Sequence, residues 1–208
     1  ISTQGIFDAR RELARRFDLV PERVRIVSEF IGGGFGGKQG AGVEALLAAE
    51  LARATGRPVR LALSRHEDQV VGGRRARTRQ TVTLGARRDG TLVGVELAAV
   101  VEMGAGGWIF PVAEPALSLY ACENVRAMTF PVRTSIRAQN AFRSPGVPDG
   151  ITVFEQAMDE LAAALGIDPL ELRRLNHVEQ DQGSGLPYSS KRLLACYDRA
   201  AELARWSE

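Results

Sequence analysis

The chain has 208 residues, 45% of them hydrophobic and 25% charged, which is enough to bury a sizeable core in one or two globular domains and too apolar for a disordered segment. Lys plus Arg number 27 against 25 for Asp plus Glu, a net charge of +2 with basic and acidic residues interspersed. No nucleic-acid footprint follows from that balance, and the expected partner is a small molecule or a protein. The only cysteines, Cys122 and Cys196, are far apart and lack Cys/His ligand spacing, so neither a disulfide framework nor a zinc site is indicated and a reducing compartment is the simplest reading.

The opening ISTQGIFDARRELARRF contains neither a basic-then-apolar signal segment nor a stretch near the roughly 20 apolar residues of a membrane span. A start on Ile1 rather than Met leads us to expect a piece of a longer polypeptide. A cytoplasmic location is therefore the expectation, with a periplasmic one left open. Within residues 6–18, Ile6, Leu13 and Phe17 recur with helical periodicity, and Pro21 ends the element. Residues 24–30 are β-rich and partly alternating, which predicts a strand feeding the glycine cluster Gly32-Gly33-Gly34-Phe35-Gly36-Gly37. Residues 42–54 are strong helix formers closed by Gly56 and Pro58.

Residues 59–63 read as a second short strand, and Ser64 through Asp68 as a capped turn of helix. Segments 81–84 and 92–97 flank Asp89-Gly90, a hairpin turn, and Gly104 to Gly107 break the second strand. Residues 125–136 alternate well enough for another extended segment. Two prolines and two glycines make 143–150 irregular by composition, directly before a helix over 151–165 stopped by Gly166. Asp168-Pro169 opens a short helix through Leu175, and Lys191 to Ala204 is a last amphipathic helix. The arrangement is α+β, with mixed or antiparallel sheets packed against helices, and a subdivision near residues 110–150 is one option.

A strand, a glycine loop, a lysine and a helix can present backbone N–H groups to an anion. Gly32, Gly34 and Gly37 satisfy G-x-G-x-x-G literally, yet the next strand ends in Leu63-Ser64-Arg65, without the acidic residue that would hold a ribose. Gly32 through Lys38 also satisfies G-x-x-x-x-G-K, but Gln39 stands where a P-loop needs a hydroxyl for Mg²⁺. Composition alone leaves two readings open: a binding loop, or glycines that merely let strand and helix pack closely.

Three motifs in order, Ser2-Thr3-Gln4, Gly32 to Lys38, and Asn140-Ala141-Phe142-Arg143-Ser144-Pro145-Gly146, resemble the large, molybdopterin-binding subunit of the xanthine dehydrogenase and aldehyde oxidase family. Thr55-Gly56-Arg57-Pro58-Val59 and Met158-Asp159-Glu160-Leu161-Ala162 are similar to that family too, so the likeness covers nearly the whole chain. The resemblance implies the first molybdenum-cofactor-binding domain, residues 1–208 being a partial one with the second cofactor-binding domain absent. It implies a hydroxylase that oxidises an aldehyde or an N-heterocycle with water as oxygen donor. The cofactor would be a molybdenum pterin, as molybdopterin or its cytosine dinucleotide form, with iron–sulfur clusters and FAD on partner domains or subunits.

By the same resemblance Gln4 matches a glutamine whose amide lies beside molybdenum, and Gly34, Phe35 and Gly36 match the loop that meets the cofactor through its backbone. Arg143 matches the arginine facing the metal, where a backbone N–H and a fixed positive charge would stabilise an anionic centre. Gln39 and Pro145 would line the substrate, and stand where purine-oxidising members carry a glutamate and a phenylalanine, which argues against xanthine. Ser144 stands where the carbon monoxide dehydrogenases carry a cysteine. No residue here is a direct metal ligand, and the general base is expected on the missing domain, so no catalytic residue is assigned and the isolated fragment is expected to be inactive. The expected partners are the iron–sulfur and FAD components, the downstream half of the large subunit and a small-molecule substrate. Two other readings are a noncatalytic interaction module that keeps the fold and a phosphate- or nucleotide-binding enzyme using Gly32 to Lys38.

Overall fold

The computed structural model of the chain describes residues 1–206. They form two compact units. The first comprises Ile1–Arg75, Gly104–Trp108 and Ser135–Ser144; the second comprises Ala76–Met103, Ile109–Thr134 and the chain from Pro145 onward. The fold is α+β, and no described helix is long and apolar enough to cross a membrane.

The first unit carries helices α1 (Ile6–Phe17), α2 (Gly42–Thr55) and α3 (Arg65–Val71). Its buried apolar core is small: Ala9 and Leu13 of α1 meet Ala41 and Ala45 at the start of α2. Gly56 ends α2 in the left-handed conformation expected of a C-terminal glycine. Ser64 and Glu67 cap α3 reciprocally, each side chain accepting the other's peptide N–H.

Residues 24–30 and 59–63 are extended, but neither joins a ladder among the described residues, contrary to the expectation of two strands. Their side chains do alternate: Val24, Ile26, Val59, Leu61 and Leu63 are half-buried while Arg25, Val27, Arg60 and Ala62 are exposed. Alternation belongs to a single extended segment, whereas a ladder needs a neighbour with matching N–H and C=O groups. Residues 24–30 are tied instead by point contacts, from the Ile1 ammonium to the Val27 carbonyl at 2.8 Å and from the Thr3 N–H to Ser28 Oγ at 3.3 Å.

The second unit holds the larger core. Strands β1 (Thr78–Ala86), β2 (Leu92–Ala105) and β3 (Val125–Arg137) lie in that order in one sheet, with β1 and β2 antiparallel and Val82 opposite Leu97. Val95, Leu97, Ala99 and Val101 point from β2 into the core. They meet a stripe on α4 (Val147–Leu165) spaced four residues apart: Phe154, Met158 and Ala162. Helix α4 starts four residues before the irregular composition suggests. Pro148 falls in its first turn, where a missing N–H costs nothing, and Gly150 is there because a Cβ would run into the Val112 carbonyl.

Helices α5 (Pro169–Leu175) and α6 (Leu193–Ala204) complete this unit, and the Asp168 carboxylate caps α5 by accepting the Leu170 and Glu171 N–H groups. The β1–β2 turn rests on α5 through one buried side chain. Asn176 donates to the carbonyls of Gly90 at 3.0 Å and Leu172 at 2.9 Å, and its Oδ1 accepts the Leu92 N–H at 2.9 Å. Asn176→Ala would leave several buried groups unpaired, so we expect a loss of about 2–4 kcal/mol in a urea titration with unchanged slope. A loss under about 0.5 kcal/mol would mean that water replaces the amide.

Tyr120 stacks on Phe154 at 5.8 Å and donates its hydroxyl to Glu155 at 2.7 Å. Burial, reinforced by the Glu155 carboxylate, pushes its phenol well above the ordinary tyrosine range. The folded state thus prefers the protonated phenol. That contribution is whole below the unfolded pKa of about 10 and is lost as pH rises beyond it. Melting temperature should therefore fall from about pH 10 upward, and less steeply in Tyr120→Phe. Equal slopes in both proteins would assign the alkaline loss to other groups.

Candidate functional site

The candidate site is built in the first unit, beginning with the fastening of Thr3 and Gln4 to the end of the glycine loop. Thr3 is 1% exposed; its hydroxyl donates to the Gly40 carbonyl at 2.6 Å and accepts the Gly5 N–H at 3.1 Å. The Gln4 N–H donates to the Lys38 carbonyl at 2.8 Å. The Gln4 side chain then turns back: its Oε1 accepts the peptide N–H groups of Gly36 at 2.9 Å and Lys38 at 3.3 Å. Both partners are donors, so the amide oxygen must face the loop and the amide nitrogen must face away. Lys38 uses its ammonium on the loop itself, reaching Ser2 Oγ at 2.9 Å and the Ile31 carbonyl at 2.7 Å.

Gly34 to Gly37 make a tight turn closed by the Gly37 N–H on the Gly34 carbonyl at 2.8 Å. Phe35 at φ 51° and Gly36 at φ 87° give the two successive positive angles of a type I′ turn. Gly36 suits that conformation, while Phe35 is strained by about 1 kcal/mol. Gly34 has a different reason to be small, because a Cβ there would occupy the space of the Gln4 amide.

Arg143 and Ser144, at φ 40° and 52°, form a second left-handed bend. The Arg143 N–H donates to the Phe35 carbonyl at 2.6 Å, and the Phe35 and Phe142 rings lie 6.5 Å apart. The Arg143 N–H thus joins the two loops, and the guanidinium is the group of Arg143 that remains free. Among the described residues, the Gln4 amide nitrogen, the Phe35 N–H and the Arg143 guanidinium carry no partner. All three are donors or cations, the kind of group that pairs with an anion.

The remaining residues singled out from sequence fall differently. Gln39 is exposed and lines a cavity of about 170 Å³ with Ser2, Lys38, Arg137 and Asn140. Pro145 opens the last segment of the second unit, where it precedes Gly146 and α4. Three supporting residues carry no functional signal in the sequence. Thr3 stands there only as part of a motif, yet it is the buried clamp. Glu12 reaches from α1 to accept the Ala41 N–H at 2.8 Å, standing in for the side-chain cap that α2 lacks. Arg75 lies over the Phe142 ring at 5.3 Å and donates to the Arg143 carbonyl at 2.8 Å. None of these partnerships has a local signal, since each joins residues far apart in the chain.

An α+β domain in which a glycine turn and a neighbouring loop are joined by hydrogen bonds, with donors left over, is of a kind that can present donors to a ligand. The comparisons with known proteins say which: residues 1–177 match the molybdopterin cofactor-binding domain, and the chain belongs to that family. Over all 208 residues it is 34% identical to the molybdenum-binding subunit of an aldehyde oxidoreductase from Escherichia coli (strain K12), of which it covers 28%. It is 36% identical over 179 residues, 84% of this chain, to a probable xanthine dehydrogenase subunit from Bacillus subtilis (strain 168), of which it covers 24%. The aldehyde oxidoreductase structure from Desulfovibrio gigas superposes with a TM-score of 0.81 at 31% identity, over 95% of this chain and 22% of that one. The chain thus spans about a quarter of the length of these relatives.

Gly34→Ala tests the packing of the turn directly. Displacement of the Gln4 amide should expose the Gly36 and Lys38 N–H groups to hydrogen exchange, about tenfold faster for the loss of one bond each. Unchanged protection at both would show that the loop accommodates a side chain without moving Gln4.

Proposed function

We propose that Gln4, the turn Gly34-Phe35-Gly36 and Arg143 form one wall of a molybdenum–pterin site in an oxidoreductase that hydroxylates an aldehyde or an N-heterocycle. The observation that carries this reading is the orientation of Gln4: its amide oxygen is satisfied by the loop and its amide nitrogen is left as an unpartnered donor. The fit to an anionic group rests on the donor set, and on a glycine at position 34 that keeps that space for the amide. When bound, the molybdenum–pterin group would supply the two-electron oxidation of a carbon with oxygen drawn from water.

The chain's own residues act by holding and placing. Gln4 and the Phe35 N–H would donate to anionic oxygen or sulfur, and the Arg143 charge would compensate a negative centre. A site that binds through turn peptides is insensitive to the Phe35 ring, so that residue serves by its backbone. Gln39 and Pro145 are proposed on the substrate side. Gln39 and Pro145 stand where purine-oxidising members carry a glutamate and a phenylalanine, so the proposed substrate is an aldehyde or an N-heterocycle other than xanthine. The aldehyde oxidoreductase and xanthine dehydrogenase names of the relatives support this class of substrate. Nothing in the chain is assigned as general base, so the base, the other wall and the electron carriers, iron–sulfur clusters and FAD, are placed on further domains or subunits, and the cofactor is the pterin in its molybdopterin or cytosine dinucleotide form. Residues 1–208 alone are proposed to be inactive, as part of a cytoplasmic enzyme.

The test is molybdenum by elemental analysis and pterin by fluorescence after oxidation, on the native polypeptide purified with its accompanying chains. Near-stoichiometric amounts of both are expected. Gln4→Glu keeps the acceptor for Gly36 but replaces the outward donor by a negative charge, and should lower molybdenum content about tenfold. Absence of metal and pterin from wild type that retains its downstream domain would overturn the assignment.

A further inference from the structure

We infer that Arg75 is a positioning residue for this site, holding the Phe142-Arg143-Ser144 bend in the left-handed conformation that presents the Arg143 guanidinium. The inference rests on the cofactor reading above for its purpose, and on geometry for its mechanism. Two consecutive non-glycine residues in the left-handed region do not stay there unaided. Something must favour that conformer over the ordinary one, in which the Arg143 carbonyl would swing away.

Arg75 makes both contacts that would do so. Its Nη2 donates to the Arg143 carbonyl at 2.8 Å, a bond available only while the bend points that carbonyl at it. Its guanidinium carbon lies over the Phe142 ring, 5.3 Å from the centroid, fixing the residue just before the bend. The backbone around Arg75 is registered on the same segment: the Asn140 N–H donates to the Arg74 carbonyl at 3.2 Å, and Arg74 Nε donates to the Arg137 carbonyl at 3.3 Å. Gly73 lies so close to Asn140 that a Cβ there would press on the Asn140 side chain at 2.6 Å. From the other side, the Phe35 carbonyl takes the Arg143 N–H at 2.6 Å. The Arg143 backbone is therefore gripped at its carbonyl by Arg75 and at its N–H by the glycine turn.

A planar, multi-donor cation is the side chain suited to this double task. Lysine offers a point charge with no flat face, and so can replace the hydrogen bond or the ring contact but not both with the same geometry. Because Arg75 grips the bend that carries Arg143, its effect on the site would run through Arg143.

The experiment is amide hydrogen exchange of the full-length protein prepared without cofactor, in wild type, Arg75→Ala and Arg75→Lys, followed by molybdenum and pterin content of the same proteins made with cofactor synthesis intact. Arg75→Ala should speed exchange at the Arg143 N–H about tenfold, with Arg75→Lys intermediate and the β1–β2 hairpin unchanged in all three. Molybdenum content should fall in the order wild type, Lys, Ala. Unchanged exchange at Arg143 in Arg75→Ala overturns the inference, as does an increase spread evenly over the first unit, which would make Arg75 a general stabiliser. The exchange measurement needs no cofactor, so it decides the role of Arg75 in the bend even where wild type binds no molybdenum–pterin and the functional reading alone fails.

Discussion

The arrangement of the first unit depends on the Gln4 carboxamide accepting two peptide N–H groups from the glycine turn. A loop with five glycines in six residues loses more conformational entropy on ordering than any other stretch of the chain, and it has few side chains to recover that loss by packing. Order must be imposed by hydrogen bonds from outside. Gln4 does this with one oxygen placed opposite Gly36 and Lys38, while Thr3 fastens the next residues along by its bond to Gly40. The choice of glutamine follows. Glutamate would satisfy the same N–H groups but leave a negative charge facing outward, and a hydrocarbon would leave the N–H groups without their acceptor. Only the amide closes the loop and still offers a donor.

Strain is concentrated in the same place. Of the five non-glycine residues with positive φ among those described, Asp18 and Arg205 are at helix C-termini, where a left-handed residue ends the helix by a common route. The other three, Phe35, Arg143 and Ser144, are in the two loops of the candidate site. Each loop helps to hold the other, since the Phe35 carbonyl that the turn projects is the acceptor for the Arg143 N–H. Mutual support of this kind lets a small domain keep two unfavourable bends that neither loop would hold alone.

Much of the second unit was legible from local pattern, because its elements are periodic and their terminators are chemical. Apolar residues at helical spacing marked α4 and Gly166 its end; Asp168-Pro169 marked the start of α5; Asp89-Gly90 marked the hairpin. The beginning of α4 was misplaced, since prolines and glycines read as breakers unless the neighbour that needs Gly150 is known. In the first unit the same reasoning found helices and overcounted strands. Residues 24–30 and 59–63 have the alternation of strands and lack the pairing, a property no single segment encodes. For the site, Gln4, Phe35 and Arg143 were recognisable as motif residues, whereas Thr3, Glu12 and Arg75 acquire their roles only through partners at separations of 29 to 68 residues. The bond of the Arg143 N–H to the Phe35 carbonyl, across 108 residues, is of the same kind.

The two units are stabilised by different means, and this bears on how the site behaves. The second unit buries Phe154, Met158, Leu97, Leu172 and Val101 in one cluster, each worth roughly 1.5–3 kcal/mol of apolar burial. The first unit buries three alanines and one leucine in its own cluster, and leaves Phe7 and Phe30 largely exposed. Its order rests on hydrogen bonds worth only about 1 kcal/mol each in net terms, several of them at exposed positions. Such a unit sits at the low end of local stability and opens before the other does. A ligand that engages the Gln4 amide, the turn peptides and Arg143 together would therefore reinforce the same contacts that hold the two loops closed, and by linkage its binding free energy becomes folding free energy of the first unit.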